Sequence, residues 1–167
     1  MKTVVVPMDD RPPNYQLVSK IADLNCLEIE LPDKNLLGRY LRPGNCEELA
    51  RWMLSREADR FIVSVDMLSY GGLIASREDG ISTRTAIDRL SSVRELRRRF
   101  PNAEILLSSI VRRASVSVSS AGSKELWTML NNYLWLSGNE RIKEAEAVEA
   151  ELPRGFVGRY RELRLRN

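Results

Sequence analysis

Histidine is absent from this chain. That excludes Ser–His and Cys–His catalysis, imidazole-ligated metals and the usual near-neutral proton shuttle. Cysteine is scarce. Cys26 and Cys46 are the only two and neither lies in a paired motif, so no disulfide framework or cysteine zinc site is expected. No apolar run reaches the roughly 18 residues that a bilayer span needs. The N-terminus also lacks the parts of a signal peptide: one lysine precedes a short valine run, and acids follow with no small-residue cleavage site. The expectation is a cytoplasmic protein with no membrane partner. Any acid–base chemistry falls to Asp, Glu, Lys or Tyr, or to carboxylates tuned by arginine.

What is present is an ordinary globular composition, 43% hydrophobic and 29% charged over 167 residues. That suffices for one domain with a real core. The net charge of +3 is unevenly spread. Arg154, Arg159, Arg161, Arg164 and Arg166 stand against Glu162 alone at the C-terminus, which leaves the remainder slightly acidic. The basic character therefore belongs to a tail, and the body is not that of a nucleic-acid binder.

The patterning predicts an α/β fold: a parallel sheet of about four strands with flanking helices, followed by C-terminal helices. Val4–Val6 is a continuous apolar run ended by Pro7, as in a strand covered on both faces. A helix is expected from near Asn14, with Leu17, Val18, Ile21 and Leu24 on one face. Leu27 to Leu31 alternates strictly and reads as an edge strand. Asn45 and Glu48 have capping-box spacing before a helix that buries Leu49, Trp52 and Met53. Phe61–Val65 is the third strand, and Tyr70–Arg77 is its loop. Ser82 should cap one long helix carrying Ile87, Leu90, Val93, Leu96 and Phe100, stopped by Pro101. Ile105–Leu107 opens the fourth strand. After the serine-rich stretch 115–123 only helices are expected: Leu126–Leu136, a second carrying Ile142, Ala145, Val148 and Leu152, and a last one carrying Phe156, Tyr160 and Leu163. The expected organisation is a single domain, 1–167, with an α/β core over 1–114 and a helical segment over 115–167. With strands one, three and four central, the Rossmann or flavodoxin-like order is 2-1-3-4, and ligands bind beyond the carboxyl ends where that order reverses. Part of a TIM-like barrel, in order 1-2-3-4, is the rival.

The candidate chemistry gathers at those strand ends. Asp9 and Asp10 follow strand 1, and Asp66 follows strand 3. Neighbouring carboxylates split their pKa values, which suits one as acid and one as base. Alternatively they hold Mg²⁺ through oxygen. The plainer alternative is that one aspartate caps the first helix and another pairs with Arg11. Every strand-end loop holds an arginine: Arg11, then Arg39 and Arg42, then Arg77, then Arg112 and Arg113. Guanidinium forks match carboxylate or phosphate, so the expected partner is an anionic or polyhydroxylated small molecule. Tyr70-Gly71-Gly72 allows close backbone approach to a ligand but lacks a nucleotide-binding pattern.

The blocks Met8-Asp9-Asp10-Arg11-Pro12 with Asn14, Leu36-Leu37-Gly38-Arg39, Pro43-Gly44, Ser64-Val65-Asp66-Met67-Leu68 with Tyr70-Gly71-Gly72-Leu73, and Ser76-Arg77 resemble, in order, the domain-of-unknown-function family 4127. Ser109-Ile110-Val111-Arg112 and Arg164-Leu165-Arg166-Asn167 are similar to further blocks. From Ser115 the chain departs from the family's run. The resemblance implies a bacterial or archaeal soluble protein with no established activity and a suspected action on carbohydrate. It also implies that members are much longer, so this chain is expected to be their N-terminal part, with further acids downstream.

Two function classes follow. The first is a glycoside-hydrolase-like domain in which Asp9, Asp10 and Asp66 are catalytic. Its substrate would be bound by Arg11, Asn14, Arg39, Tyr70, Gly71, Gly72, Arg77 and Arg112, with no resident cofactor. The second is a non-catalytic binding or oligomerisation module that self-associates through the Trp127–Leu136 helix.

Overall fold

The computed structural model describes residues 1–40, 42–75, 81–110, 123–154 and 157–158. The chain divides into two compact units, Met1–Ile110 and Val111–Asn167.

The first unit is built on four parallel strands: β1 (Thr3–Val6), β2 (Ile29–Glu30), β3 (Arg60–Ser64) and β4 (Glu104–Ser108). Their order is β2-β1-β3-β4, with the reversal between β1 and β3. This is the doubly wound arrangement, not the sequential order of a partial barrel. Val5 pairs with Ile62 and Ile62 with Leu106, so these three share one face of the sheet. Val4, Val6, Phe61 and Val63 share the other and form the core with Leu49, Met53, Met67, Leu68 and Leu96.

Two of the helices that build that core were expected from the sequence. In α2 (Cys46–Leu54) the Asn45 side chain accepts from Glu48 N at 3.2 Å, so half of the expected capping box is made. Asn45 N turns instead to Leu36 O at 2.9 Å. Leu49 and Met53 are buried and Trp52 half-buried. The second long helix is divided. Ser82 caps α4 (Thr83–Arg89) as expected, accepting from Thr85 N at 3.0 Å, but a new helix, α5 (Ser91–Arg99), starts after Leu90. The Ser92 hydroxyl donates to Arg89 O at 2.8 Å and satisfies a carbonyl at the break. Leu96 is buried, whereas Ile87 on the first piece is exposed.

Three further expectations change. β3 stops at Ser64, and the chain enters a six-residue helix, α3 (Val65–Tyr70), with no loop between. Ser64 caps it, with Oγ 3.4 Å from Met67 N. Asp66 therefore stands in a first helical turn. β4 is the outer strand of the described sheet rather than a central one, with Leu106 45% and Leu107 52% exposed. Its apolar composition records a demand for burial that nothing described meets. Finally, α1 (Gln16–Leu24) forms where predicted, but Leu17, Ile21 and Leu24 are exposed and Ala22 is its buried residue.

In the second unit α6 (Ser123–Gly138) packs on α7 (Ile142–Glu151). Leu130, Tyr133 and Leu136 meet Ala145, Leu152 and Val157. Glu140 takes a positive φ of 60° in the turn between them. Trp127 and Trp135 stay at least a third exposed, with the Arg141 guanidinium 5.5 Å from the Trp135 ring centre. The helix expected around Phe156, Tyr160 and Leu163 lies outside the described residues. No described helix is long and apolar enough to cross a membrane.

Candidate functional site

Three strand-end segments meet beyond the carboxyl ends of β1, β2 and β3. The loop after β1 is ordered by Asp9, which is buried to 7% exposure. Its Oδ1 accepts from Arg11 N at 3.1 Å and from Asn14 Nδ2 at 2.6 Å. Its Oδ2 receives Arg11 Nε and a terminal guanidinium nitrogen, each at 2.7 Å. Burial opposes the charge, but the hydrogen bonds from Arg11 and Asn14 outweigh it and hold the carboxyl below its ordinary range. The same contact holds the Arg11 guanidinium above its usual value. The Arg11 carbonyl accepts from Asn14 N and Tyr15 N, both at 3.0 Å, which winds the chain toward α1. Asp9, Arg11 and Asn14 thus form one closed unit; the plainer alternative's pairing of an aspartate with Arg11 is present, whereas no side-chain hydrogen bond caps α1.

The loop after β2 runs through a 3₁₀ turn (Lys34–Leu37) capped by Asp33 and enters a tight hairpin. Arg39 N donates to Arg42 O and Arg42 N to Arg39 O, both at 2.9 Å. Its base is locked by glycines. A Cβ on Gly38, at φ 73°, would collide with Arg42 O and Gly44 N. Gly44 N donates to Gly71 O at 2.9 Å.

Gly71 closes α3 in the left-handed region, φ 80°, with its N–H on Met67 O at 2.9 Å. A Cβ there would lie 2.7 Å from Gly44 N and 2.9 Å from Gly44 O. The close approach that Gly71 permits is therefore to the chain's own backbone. Gly72 faces the β1 loop, its Cβ position 3.6 Å from Met8 O and 3.9 Å from Asp9 Cβ. These contacts bring the three segments together.

Asp66 is 4% exposed, and its Oδ2 accepts from Ile110 N at 3.0 Å, tying α3 to the segment after β4. Its Oδ1 makes no hydrogen bond among the described residues. Asp10 is half-buried beside Arg11. Among the described residues no group of three Asp, Glu, Cys or His side chains is placed to hold a metal ion. Arg39 is exposed and Tyr70 half-buried, while Arg77, Arg112 and Arg113 lie outside the described residues. The Ile110 N–H and the Gly44–Gly71 lock were not foreseen. The only signal for the lock was a pair of glycines bracketing Arg39 and Arg42. Cys46 packs beneath it, and burial pushes its thiol up and away from reactivity.

A parallel sheet in the order β2-β1-β3-β4 with flanking helices defines a doubly wound α/β protein. The chain belongs to the family described as Protein of unknown function (DUF4127), whose model matches residues 3–167. No curated protein matches the chain, and no solved structure does.

Proposed function

We propose that this is a domain of hydrolase type acting on a sugar-like or anionic small molecule at the carboxyl ends of β1 and β3, in the cytoplasm. The observation that carries the reading is Asp66: a buried carboxylate with one oxygen fixed by Ile110 N and the other making no hydrogen bond among the described residues. A carboxylate so held is oriented but not spent, as a general acid or base must be. Asp9 is spent. It anchors Arg11 and Asn14, so its role is to shape the binding loop. Asp10, adjacent and half-buried, is then the second carboxylate of the couple.

The test is thermal stability of the chain against sugar acids and phosphosugars, comparing wild type with Asp66→Asn. A ligand at 100 times its Kd adds about 2.7 kcal/mol, a shift of a few degrees. A shift seen in wild type and lost in Asp66→Asn supports the reading. The absence of any shift, or one indifferent to Asp66, removes it.

A second reading, a self-associating module, is favoured by Trp135, which is 56% exposed on α6. Light scattering decides it. A dimer that Trp135→Ser dissolves supports the module, and a monomer at all concentrations rejects it.

A further inference from the structure

We infer that Arg39 and Arg42 form a two-guanidinium clamp for a phosphoryl group. The inference rests on the reading above only in taking the ligand as small and bound at the strand ends.

The two residues face each other across an antiparallel bridge and exchange both backbone hydrogen bonds. Directly opposed residues of such a pair project from the same face, with Cα atoms about 5.5 Å apart. Like charges so placed repel. Elsewhere in this unit arginines near the sheet are satisfied: Arg11 by Asp9, Arg56 by Glu30, Arg60 by Glu104, and Arg89 by Ser69 O. Arg39 and Arg42 are both exposed, and neither has a carboxylate within ion-pair distance among the described residues. Arg94 on the surface of α5 and Arg154 beyond α7 are likewise without one, but neither is held in a bridge opposite a second arginine.

The backbone holds the pair in this repulsive geometry. Gly38 and the Gly44–Gly71 bond lock the hairpin base, and Leu37 beneath it is 1% exposed. At its turn Tyr40 sits at φ 52°, a conformation a tyrosine rarely adopts, with 65% of its surface exposed. A strained tyrosine backbone between two exposed arginines with no carboxylate partner among the described residues is an incomplete anion site. The missing component is a compact group with charge approaching two and several acceptor oxygens. A phosphate monoester meets that description, and a single carboxylate supplies half the charge.

Inorganic phosphate is the probe, titrated into the ¹⁵N-labelled full chain at constant ionic strength. Phosphate is expected to move the amides of residues 38–44. Arg39→Gln or Arg42→Gln should each weaken it about tenfold, the loss of one charge-assisted pair. The double variant should abolish it. Arg94→Gln should leave it unchanged, as should Asp66→Asn, which separates this clamp from the hydrolytic reading. Both clamp side chains are exposed, so the variants keep the fold, and an unchanged amide spectrum away from the hairpin verifies this. No binding by wild type, equal binding by the double variant, an equal loss in Arg94→Gln, or acetate binding as tightly as phosphate at the same amides would each overturn the assignment.

Discussion

The two faces of one sheet behave differently. On the face bearing Val4, Val6, Phe61 and Val63, α2 and α5 close over the strands and the large side chains reach zero or near-zero exposure. On the face bearing Val5, Ile62 and Leu106, Ile62 and Leu106 remain at or above a third exposed. Leu24 on α1 is 84% exposed. The difference teaches that hydrophobic periodicity records a requirement for burial and does not record which element meets it.

The contrast can be broken from its covered side. Phe61 is fully buried and stacks near Phe100 at a centroid distance of 5.3 Å. Phe61→Ala should cost about 3–5 kcal/mol, read as a drop in the urea midpoint. A loss below about 1 kcal/mol would mean that the covered face is no better packed than the open one.

At the strand ends the same comparison is sharpened by Gly71→Ala. It places a Cβ against Gly44 at positive φ and should cost roughly 2 kcal/mol or more. Gly72→Ala meets only ordinary contacts, and its penalty comes from its φ of 131°. Amide exchange at residue 44 is expected to accelerate in the first variant and not in the second, because only Gly71 O accepts the Gly44 N–H.

Asp9→Asn should remove about 1–2 kcal/mol at neutral pH, discounted because the Arg11 side chain is 45% exposed. The native carboxyl titrates below its unfolded value of 3.8. Its stabilising contribution is therefore fully present above that value and is lost as pH falls through the lower folded one. Melting curves of wild type and variant should run parallel from neutral pH to about pH 5. They should converge below 3.8. A gap that persists in acid would assign the effect to packing rather than charge.

The smallest effect belongs to the open face. Leu106→Thr should change stability by no more than about 0.5 kcal/mol, since that side chain has little burial to lose. A larger loss would show that Leu106 is covered in solution.

Much of this was legible in the sequence. The half-polar Leu27–Leu31 run identified the edge strand, and with it the order 2-1-3-4. Asn45 and Ser82 declared their helices because a capping side chain acts locally. The junction at Ser64 was hidden because Val65 is β-branched and extends the apolar strand pattern, while the third helical residue after Ser64 is Met67, not an acid. The division at Leu90 was hidden because Leu90, Val93 and Leu96 keep helical spacing across the break. At the site, the Asp9–Arg11 pair could be weighed from proximity in the chain. The fate of Gly71 and Asp66 could not, because their partners Gly44 and Ile110 lie 27 and 44 positions away.

The bond from Ile110 N to Asp66 has a practical consequence for dissection of the molecule. Ile110 is also the last residue of the first compact unit. A fragment cut even one residue short would keep every strand and yet release the buried acid from its clasp. Expression boundaries for this unit therefore belong downstream of 110. A fragment ending before it would look folded by every spectroscopic measure of secondary structure while holding Asp66 in a different setting.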